Sequence, residues 1–516
     1  MFPTEYDSFY INGERQPAST DARITVISPS TEKPVGYVPD ASREDIDAAV
    51  AAARAAFDGW RALTAHERAE HIERLAAALM SRAEEMAELI TSEQGGTHFL
   101  STVYQSISGT MSFNYNAEVA KNYQFEEIRV SDLSEYAGSG GGSIIPMAGK
   151  SLVVKEPIGV VAILPAFNFA VPAIGQKVGP ALAAGCTVVL KVPEQNPLGS
   201  FAVGQVAEEI GFPAGVLNIV SATAESSQYL VSHPGVDMVS FTGSTNVGRA
   251  IASACAELVR PVVLELGGKS AAIILDDADP ADVVPTLTGA SIGTNSGQSC
   301  VCPSRFLVPA SRYEEYAELF ASAFESLQVG DPWDEGTVVG PLISEAHRER
   351  VERHIARAKE QGATIRSGGD RPEEPAQGWY VRPTLITDVT NDMDIAQEEV
   401  FGPVVAMISY DDEADAISIA NDSKYGLSGS VYTKDVMKGF DIARRIESGT
   451  FSINTLAADL GSPFGGFKQS GLGREHGPTA IEEFLQTKTI SIDPTGELPA
   501  ELVEGRAVGT GPGTRH

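Results

Sequence analysis

The sequence predicts an α/β protein built on parallel sheet with helices on both faces, and three observations predict it. From Val153 the chain alternates short apolar runs with helical segments. Those apolar runs are rich in β-branched residues and almost uncharged, as strands covered on both faces are. At 516 residues the chain is also too long for one ordinary core, so two or three structural units are expected.

The elements follow in order. Arg43 to about Glu93 is Ala-rich, with apolar residues at three- and four-residue spacing, and predicts helix. The run Ala137–Ser143, mostly Gly and Ser, reads as a hairpin tip or a binding loop between extended segments. Val160–Leu164 predicts a buried strand, Val171–Ala184 a helix closed by Gly185, and Cys186–Leu190 a second strand. Phe201–Ile210 (helix), Val216–Val220 (strand), Ser226–Val231 (short helix) and Val236–Phe241 (strand) complete the series. A second α/β stretch begins near Ala271–Leu275 and runs to about Gly466. Ala480–Leu485 then predicts helix, and Thr487–Ile492 alternates like an edge strand open to a second subunit. The Pro-, Gly- and Glu-rich tail from Pro494 is expected to be disordered.

Composition narrows the function. A formal charge of −31 repels polyphosphate, so no nucleic-acid partner is expected. Met1–Arg15 lacks a cationic start followed by an apolar stretch, so no secretory signal is read there. The longest uncharged run, Pro157 to Gln176, contains three prolines and reads as strand, loop and helix start rather than a membrane span. Four cysteines (Cys186, Cys255, Cys300 and Cys302) are too few for a disulfide framework and show no metal spacing with His. A cytoplasmic protein without metal or membrane partner is expected.

Two residues carry the chemistry. Cys300 ends the run Thr294–Cys300, a thiol in a glycine-containing loop, and Glu265 ends the apolar run of Leu264-Glu265-Leu266-Gly267-Gly268-Lys269. A thiol and a carboxylate are the parts needed for a covalent thioester followed by base-assisted hydrolysis. For a cofactor, Phe241-Thr242-Gly243-Ser244 leads from a strand towards Gly248. There Gly243 allows the turn, Ser244 can cap the helix, and the helix start favours a pyrophosphate. An ordinary strand-to-helix turn would look the same, because Thr245 stands where a second glycine is usual. Lys191 and Glu194 follow the second strand, where ligands of open α/β sheets bind. A carboxylate there suits the ribose hydroxyls of NAD and repels the 2′-phosphate of NADP; a solvated surface pair is the alternative.

With these segments in order, the chain resembles the aldehyde dehydrogenase superfamily from about Tyr10 to Ile492. The matched stretches are Pro165–Phe169, Lys177–Gly185, Lys191–Glu194, Phe241–Gly248, Leu264–Lys269, Gly297–Cys300, Glu398–Pro403 and Ser462–Lys468 with Ser470-Gly471. The resemblance implies NAD-dependent oxidation of an aldehyde, with Cys300 as nucleophile, Glu265 as general base and Asn168 as oxyanion donor. It implies that Ser244, Lys191 and Glu194 hold the pyrophosphate and adenosine ribose, that Glu399 holds the nicotinamide ribose, and that Phe401 packs nearby. Lys177 and Glu475 resemble a proton path behind Glu265.

The resemblance also implies a layout of a Rossmann-type NAD-binding domain, a second α/β catalytic domain and an oligomerisation arm. The expected boundaries are 1–129 and 153–263 for the NAD-binding domain, 130–152 for the arm hairpin and 264–468 for the catalytic domain. A bridging segment would span 469–496 and a disordered tail 497–516, in a homodimer or homotetramer. Glu265 argues against a CoA-acylating relative, which has no use for a base aimed at water, and the intact Cys300, Glu265 and Asn168 argue against an idle protein on this fold. Phe167, with Ala170-Val171, suggests a wide aldehyde tunnel. The loop Asn454–Leu460 lacks a cation for a carboxylated aldehyde, while its Asp459 could attract an amino-aldehyde. Cys302 reads as a bystander, Cys186 and Cys255 as apolar fillers, His476 as packing or solvation, and Trp60 and Trp379 as core.

Overall fold

The computed structural model describes residues 1–132, 148–456, 459–492, 498–504 and 506–510. The Gly- and Ser-rich run 137–143 and residues 457–458 of the loop after Asn454 lie outside them. Two large sheets organise the chain. In the first, the central order is Leu217–Ser221, Thr187–Val192, Val160–Leu164, Met238–Thr242, Val262–Glu265, all parallel. Glu14–Pro17 and Ser8–Ile11 extend one edge, and the two-residue strand Gly471–Leu472 closes the other against Val262–Glu265.

The central strands are mostly apolar, and Val160–Leu164 is apolar and buried at every position, because helices cover both faces. Ala170–Ala184, Leu198–Glu209 and Ala224–Ser232 stand close to the expected helices. Strand order reverses between Val160–Leu164 and Met238–Thr242. The crevice beyond the C-terminal ends of such a pair is the place where open α/β sheets bind ligands. The loop carrying Asn168 and the turn carrying Gly243 leave from those ends.

The second sheet orders Thr364–Ser367, Thr384–Thr387, Val404–Tyr410, Pro303–Pro309, Ser270–Ile274, Gly429–Tyr432 and Ser452–Ile453, parallel except for its first pair. Ala271 and Ile273 face one core while Ala272 and Ile274 face another, the two-residue period of a strand covered on both sides. Leu266–Lys269 alone links the last parallel strand of the first sheet to Ser270–Ile274. The C-terminal ends of one sheet therefore open towards the N-terminal starts of the other. Cys300, Lys269 and Glu399 all precede strands of the second sheet.

A smaller antiparallel unit forms the arm. Glu126–Asp132 pairs with Ala148–Pro157, which pairs with Leu485–Ile492. This hairpin is longer than the 130–152 expected from sequence. Gln486–Ser491 is exposed at every position, the signature of an edge strand. The expectation of a wholly disordered tail is corrected: Ala500–Val503 is a helical turn and Ala507–Thr510 pairs in parallel with Glu127–Val130. The open edge of Glu126–Asp132 offers unpaired N–H and C=O groups that composition cannot reveal, and the tail satisfies them. The helix expected at Ala480–Leu485 is a 3-10 helix, Pro478–Phe484, and Leu485 already belongs to the edge strand. Trp60 is buried as expected, whereas Trp379 is half-buried. Among the described residues no helix is long and apolar enough to cross a membrane.

Candidate active site

The Asn168 loop and the Cys300 loop are bound to each other. Asn168 Nδ2 donates to the Gln298 carbonyl at 3.2 Å, and Asn295 Nδ2 donates to the Asn168 and Gln298 carbonyls at 3.1 and 3.3 Å. Asn295, Ser296 and Gly297 have φ of 51°, 53° and 71°, three successive left-handed residues just before the thiol. Two of them carry side chains, so the bend costs backbone strain of the kind found at functional sites. It is held by Ser296 Oγ on the Gly340 carbonyl at 2.9 Å. Gly297 lies so close to the Gly402 carbonyl that no Cβ fits there.

Cys300 is half-buried. Burial pushes its thiol pKa well up, and the charges of Glu399 and Glu265 add to the shift. The resting group is a thiol that needs a base to become a nucleophile. Cys302 points elsewhere: it is buried, its Sγ lies 3.1 Å from the Ser291 carbonyl, and burial raises it to about 12. Cys186 and Cys255 are buried fillers.

Glu265 terminates the strand Val262–Glu265, with 3% of its surface exposed and neither carboxyl oxygen hydrogen-bonded. Burial first, then the field of Glu475, raises its pKa well above the ordinary carboxylate value. A carboxyl raised in this way suits a group that gives and takes protons. Behind it, Lys177 Nζ pairs with Glu475 in a buried ion pair and also donates to Ser240 Oγ at 3.2 Å. His476 packs on Phe464 with its Nε2 buried and unpartnered. Asp459 spends its carboxylate within its own turn, accepting from the Gly461 N–H at 2.8 Å and Ser462 Oγ at 2.5 Å.

The cofactor candidates lie on the same crevice. Ser244 is the N-cap of Thr245–Glu257, its Oγ accepting from the Val247 N–H at 3.4 Å. The Gly243 N–H donates to the Glu265 carbonyl at 3.0 Å, tying the turn to the strand that ends in Glu265. Gly248 lets that helix settle on Leu266, whose Cδ2 would lie 2.5 Å from an added Cβ. Lys191 Nζ and the Glu194 carboxylate stand 3.6 Å apart beyond the strand Thr187–Val192, and burial pulls the Lys191 pKa down. The next helix, Leu198–Glu209, has its N-terminus taken by the protein itself. Buried Glu93 accepts from the Leu198 and Gly199 N–H groups at 2.7 Å each, and burial raises it to about 8.

Glu399 accepts from the Gly268 N–H at 3.0 Å, and burial raises its pKa to about 7. Phe401 has φ of 62° and sits in a triangle of rings, 5.8 Å from Phe167 and 6.1 Å from His347. The sequence reading missed the helix that holds this segment: from Glu345–Glu360, His347 Nε2 meets the Phe401 carbonyl at 2.6 Å and Arg350 donates to the Glu399 carbonyl at 2.7 Å. It also missed Gln94 and Gln105, whose amides reach the Asn168 carbonyl at 2.7 and 2.8 Å. Gln94 was findable, since it falls on the buried stripe of its helix with Ala87 and Ile90. Gln105 was not, because the π-helical run Ser101–Ile107 breaks the 3.6 period that a sequence reader counts.

A thiol, an amide donor and an orphaned carboxylate on one crevice of a doubly wound α/β fold define a cysteine-dependent enzyme with a dinucleotide-type sheet. The comparisons make the class specific. The model of the aldehyde dehydrogenase family matches residues 16–490. Geranial dehydrogenase of Castellaniella defragrans is 41% identical over 488 residues, covering 94% of this chain and 98% of its own. An aldehyde dehydrogenase of Mycobacterium tuberculosis solved with NAD+ superposes with a TM-score of 0.90 at 43% identity, covering 96% of this chain and all of that one. A cysteine-to-alanine variant of AldC of Pseudomonas syringae, solved with NAD+ and octanal, gives 0.88 at 37%, covering 94% and 96%. The chain belongs to the aldehyde dehydrogenase family.

Proposed function

We propose that this protein oxidises an apolar aldehyde to its carboxylic acid at Cys300, with NAD as the hydride acceptor. The observation that carries the reading is the junction of the Cys300 and Asn168 loops through the Gln298 carbonyl, at the reversal of strand order and beside Glu265. The bound nicotinamide supplies the hydride acceptor. Lys191 and Glu194 hold the adenosine ribose, Gly243, Ser244 and Gly248 shape the pyrophosphate turn, and Glu399 with Phe401 holds the nicotinamide end. The fit rests on the shape of the rim: Gly267 has no room for a Cβ beneath the Glu399 carboxylate, and the Lys191–Glu194 pair lies at a strand terminus.

The residues act in sequence. Glu265 takes the Cys300 proton and passes it towards Lys177 and Glu475, Cys300 Sγ adds to the carbonyl carbon, and the carbonyl electrons move onto oxygen. Asn168 Nδ2–H and the Cys300 backbone N–H stabilise that alkoxide; one such donor is worth about 3 kcal/mol. Its collapse expels hydride and leaves a thioester on Cys300. Glu265 takes a proton from water, the oxygen adds to the acyl carbon, and Cys300 sulfur departs. Lys177 and Glu475 stand behind Glu265 to carry that proton away.

The choice of an apolar aldehyde rests on three supports. Phe167, Phe401 and His347 wall one side of the site, and the stripe Phe99, Tyr104 and Met111 is exposed by 70%, 51% and 51% on the helical segment that packs against the Asn168 loop. Two of the relatives point the same way, one named a geranial dehydrogenase and one solved with octanal. We further read residues 1–129 with 153–263 as the NAD-binding domain, 264–468 as the catalytic domain and the Leu485–Ile492 edge as the pairing surface of a cytoplasmic homo-oligomer. The decisive experiment is rapid mixing of Glu265→Gln with NAD and octanal. A burst of about one NADH per subunit followed by slow turnover supports the reading, and turnover at the rate of the unaltered enzyme overturns it.

A further inference from the structure

Three side-chain amides converge on one backbone carbonyl. Gln94 Nε2, Gln105 Nε2 and Asn295 Nδ2 lie 2.7, 2.8 and 3.1 Å from the Asn168 carbonyl oxygen. A carbonyl has two lone pairs and can only accept, so each amide must present its NH2 side. The amides are also bound to each other, Gln105 Nε2 to Gln94 Oε1 at 2.7 Å and Gln94 Nε2 to Asn295 Oδ1 at 3.4 Å. Gln94 and Gln105 are each 1% exposed.

The cluster is poor as a stability device. Gln105 Oε1 is buried without a partner, as are the hydroxyls of its neighbours Ser101 and Ser106. Unpartnered buried polar atoms disfavour folding, and apolar side chains of the same shape would serve packing better. The irregular π-helical turn that brings Gln105 inward is a second departure from the most stable geometry. Both departures occur against Asn168, the residue given the oxyanion role above.

We propose that Gln94, Gln105 and Asn295 are positioning residues that aim the Asn168 side chain as oxyanion donor; this rests on the role given to Asn168 above. The two N–H bonds of a primary amide lie in one plane at about 120°. Asn168 Nδ2 spends one on the Gln298 carbonyl at 3.2 Å, which leaves the other directed by rotation about that bond. Fixing the Asn168 backbone with three donors removes the rotation. Asn295 sets the spacing as well, because its single NH2 spans the Asn168 and Gln298 carbonyls and so ties the donor to the loop of the thiol. An oxyanion hole works only when its donors are held before charge develops.

The test uses the full-length enzyme with Gln94→Met, Gln105→Met and their combination, each also made with Asn168→Ala. The expected result is a NADH burst slowed about 10- to 100-fold in the combined Met variant. The half-saturating aldehyde concentration and the NAD Kd should stay unmoved, with a Tm equal to or above that of the parent. Added to Asn168→Ala, the same substitutions should slow the burst no further, since a donor already deleted has nothing to aim. Should the combined variant not fold, the single Gln105→Met variant is judged by the same two criteria. A burst at full rate, or an equal loss with and without Asn168, overturns the proposal. If Asn168→Ala itself leaves the burst unchanged, the role of Asn168 fails first, and the proposal with it.

Discussion

Gly465 lies beneath the carboxylate of Glu265: a Cβ at that position would stand 2.8 Å from Glu265 Oε1 and 2.8 Å from the Gly473 carbonyl. The floor beneath Glu265 is thus the backbone of the segment that also fixes Glu475, whose N–H and carbonyl pair with those of Phe464. Neither carboxyl oxygen of Glu265 has a hydrogen-bond partner to hold it.

The first prediction follows from that floor. Gly465→Ala should displace the Glu265 carboxylate and slow thioester hydrolysis about tenfold, while the initial NADH burst remains. Stopped-flow absorbance resolves the two phases. A loss of burst amplitude equal to the loss of turnover would place Gly465 in the first half-reaction instead.

The two cysteines separate by environment. Cys300→Ala should remove NADH formation from any aldehyde, whereas Cys302→Ala, at a thiol turned to the Ser291 carbonyl, should keep at least about half of it. Because burial and two carboxylates raise the Cys300 pKa, alkylation of the ligand-free enzyme by iodoacetamide should still be accelerating at pH 9. A plateau near pH 7 would mean a thiol activated before any ligand binds.

Glu399 should make cofactor binding pH-dependent. Its pKa of about 7 against an ordinary 4.5 means that the folded protein keeps a proton the unfolded chain has lost between those values. The group's contribution to stability therefore falls as pH rises from 4.5 to about 7. An ionised carboxylate accepts ribose hydroxyls and a protonated one accepts them poorly, so the NAD Kd should be up to about tenfold weaker at pH 6 than at pH 8. Fluorescence titration of the parent and of Glu399→Gln checks this, since the substituted protein should show a flat profile.

The Glu194 carboxylate beside Lys191 offers a test of coenzyme choice. Replacing it with Ser removes the carboxylate beside Lys191 and should reduce discrimination against NADP about tenfold, measured as the ratio of kcat/KM for the two coenzymes. An unchanged ratio would assign the ribose to other groups.

Much of this was legible along the chain. The buried strand Val160–Leu164 announces itself because it is apolar at every position, a strictly local signal, and Met238–Thr242 is interrupted only by Ser240 and Thr242. Ser244 was readable as a cap for the same reason: the N–H groups it satisfies are three residues away. Cys300, Glu265 and Asn168 stand in short motifs, so the candidates for the reacting groups could be picked out along the chain.

The tertiary structure alone decided how those atoms are held. Gln105 reaches Asn168 from 63 residues away through a helix whose period slips, and Arg350 and His347 grip Glu399 and Phe401 from a helix whose charged sequence reads as surface. The tail strand 507–510 finds an edge nearly 380 residues upstream. Local rules of period, cap and turn are written in neighbouring residues and can be read there. A hydrogen bond between distant segments depends on where the whole chain places two groups, and burial, which sets the pKa of Glu265, Glu399 and Cys300, is a property of that placement.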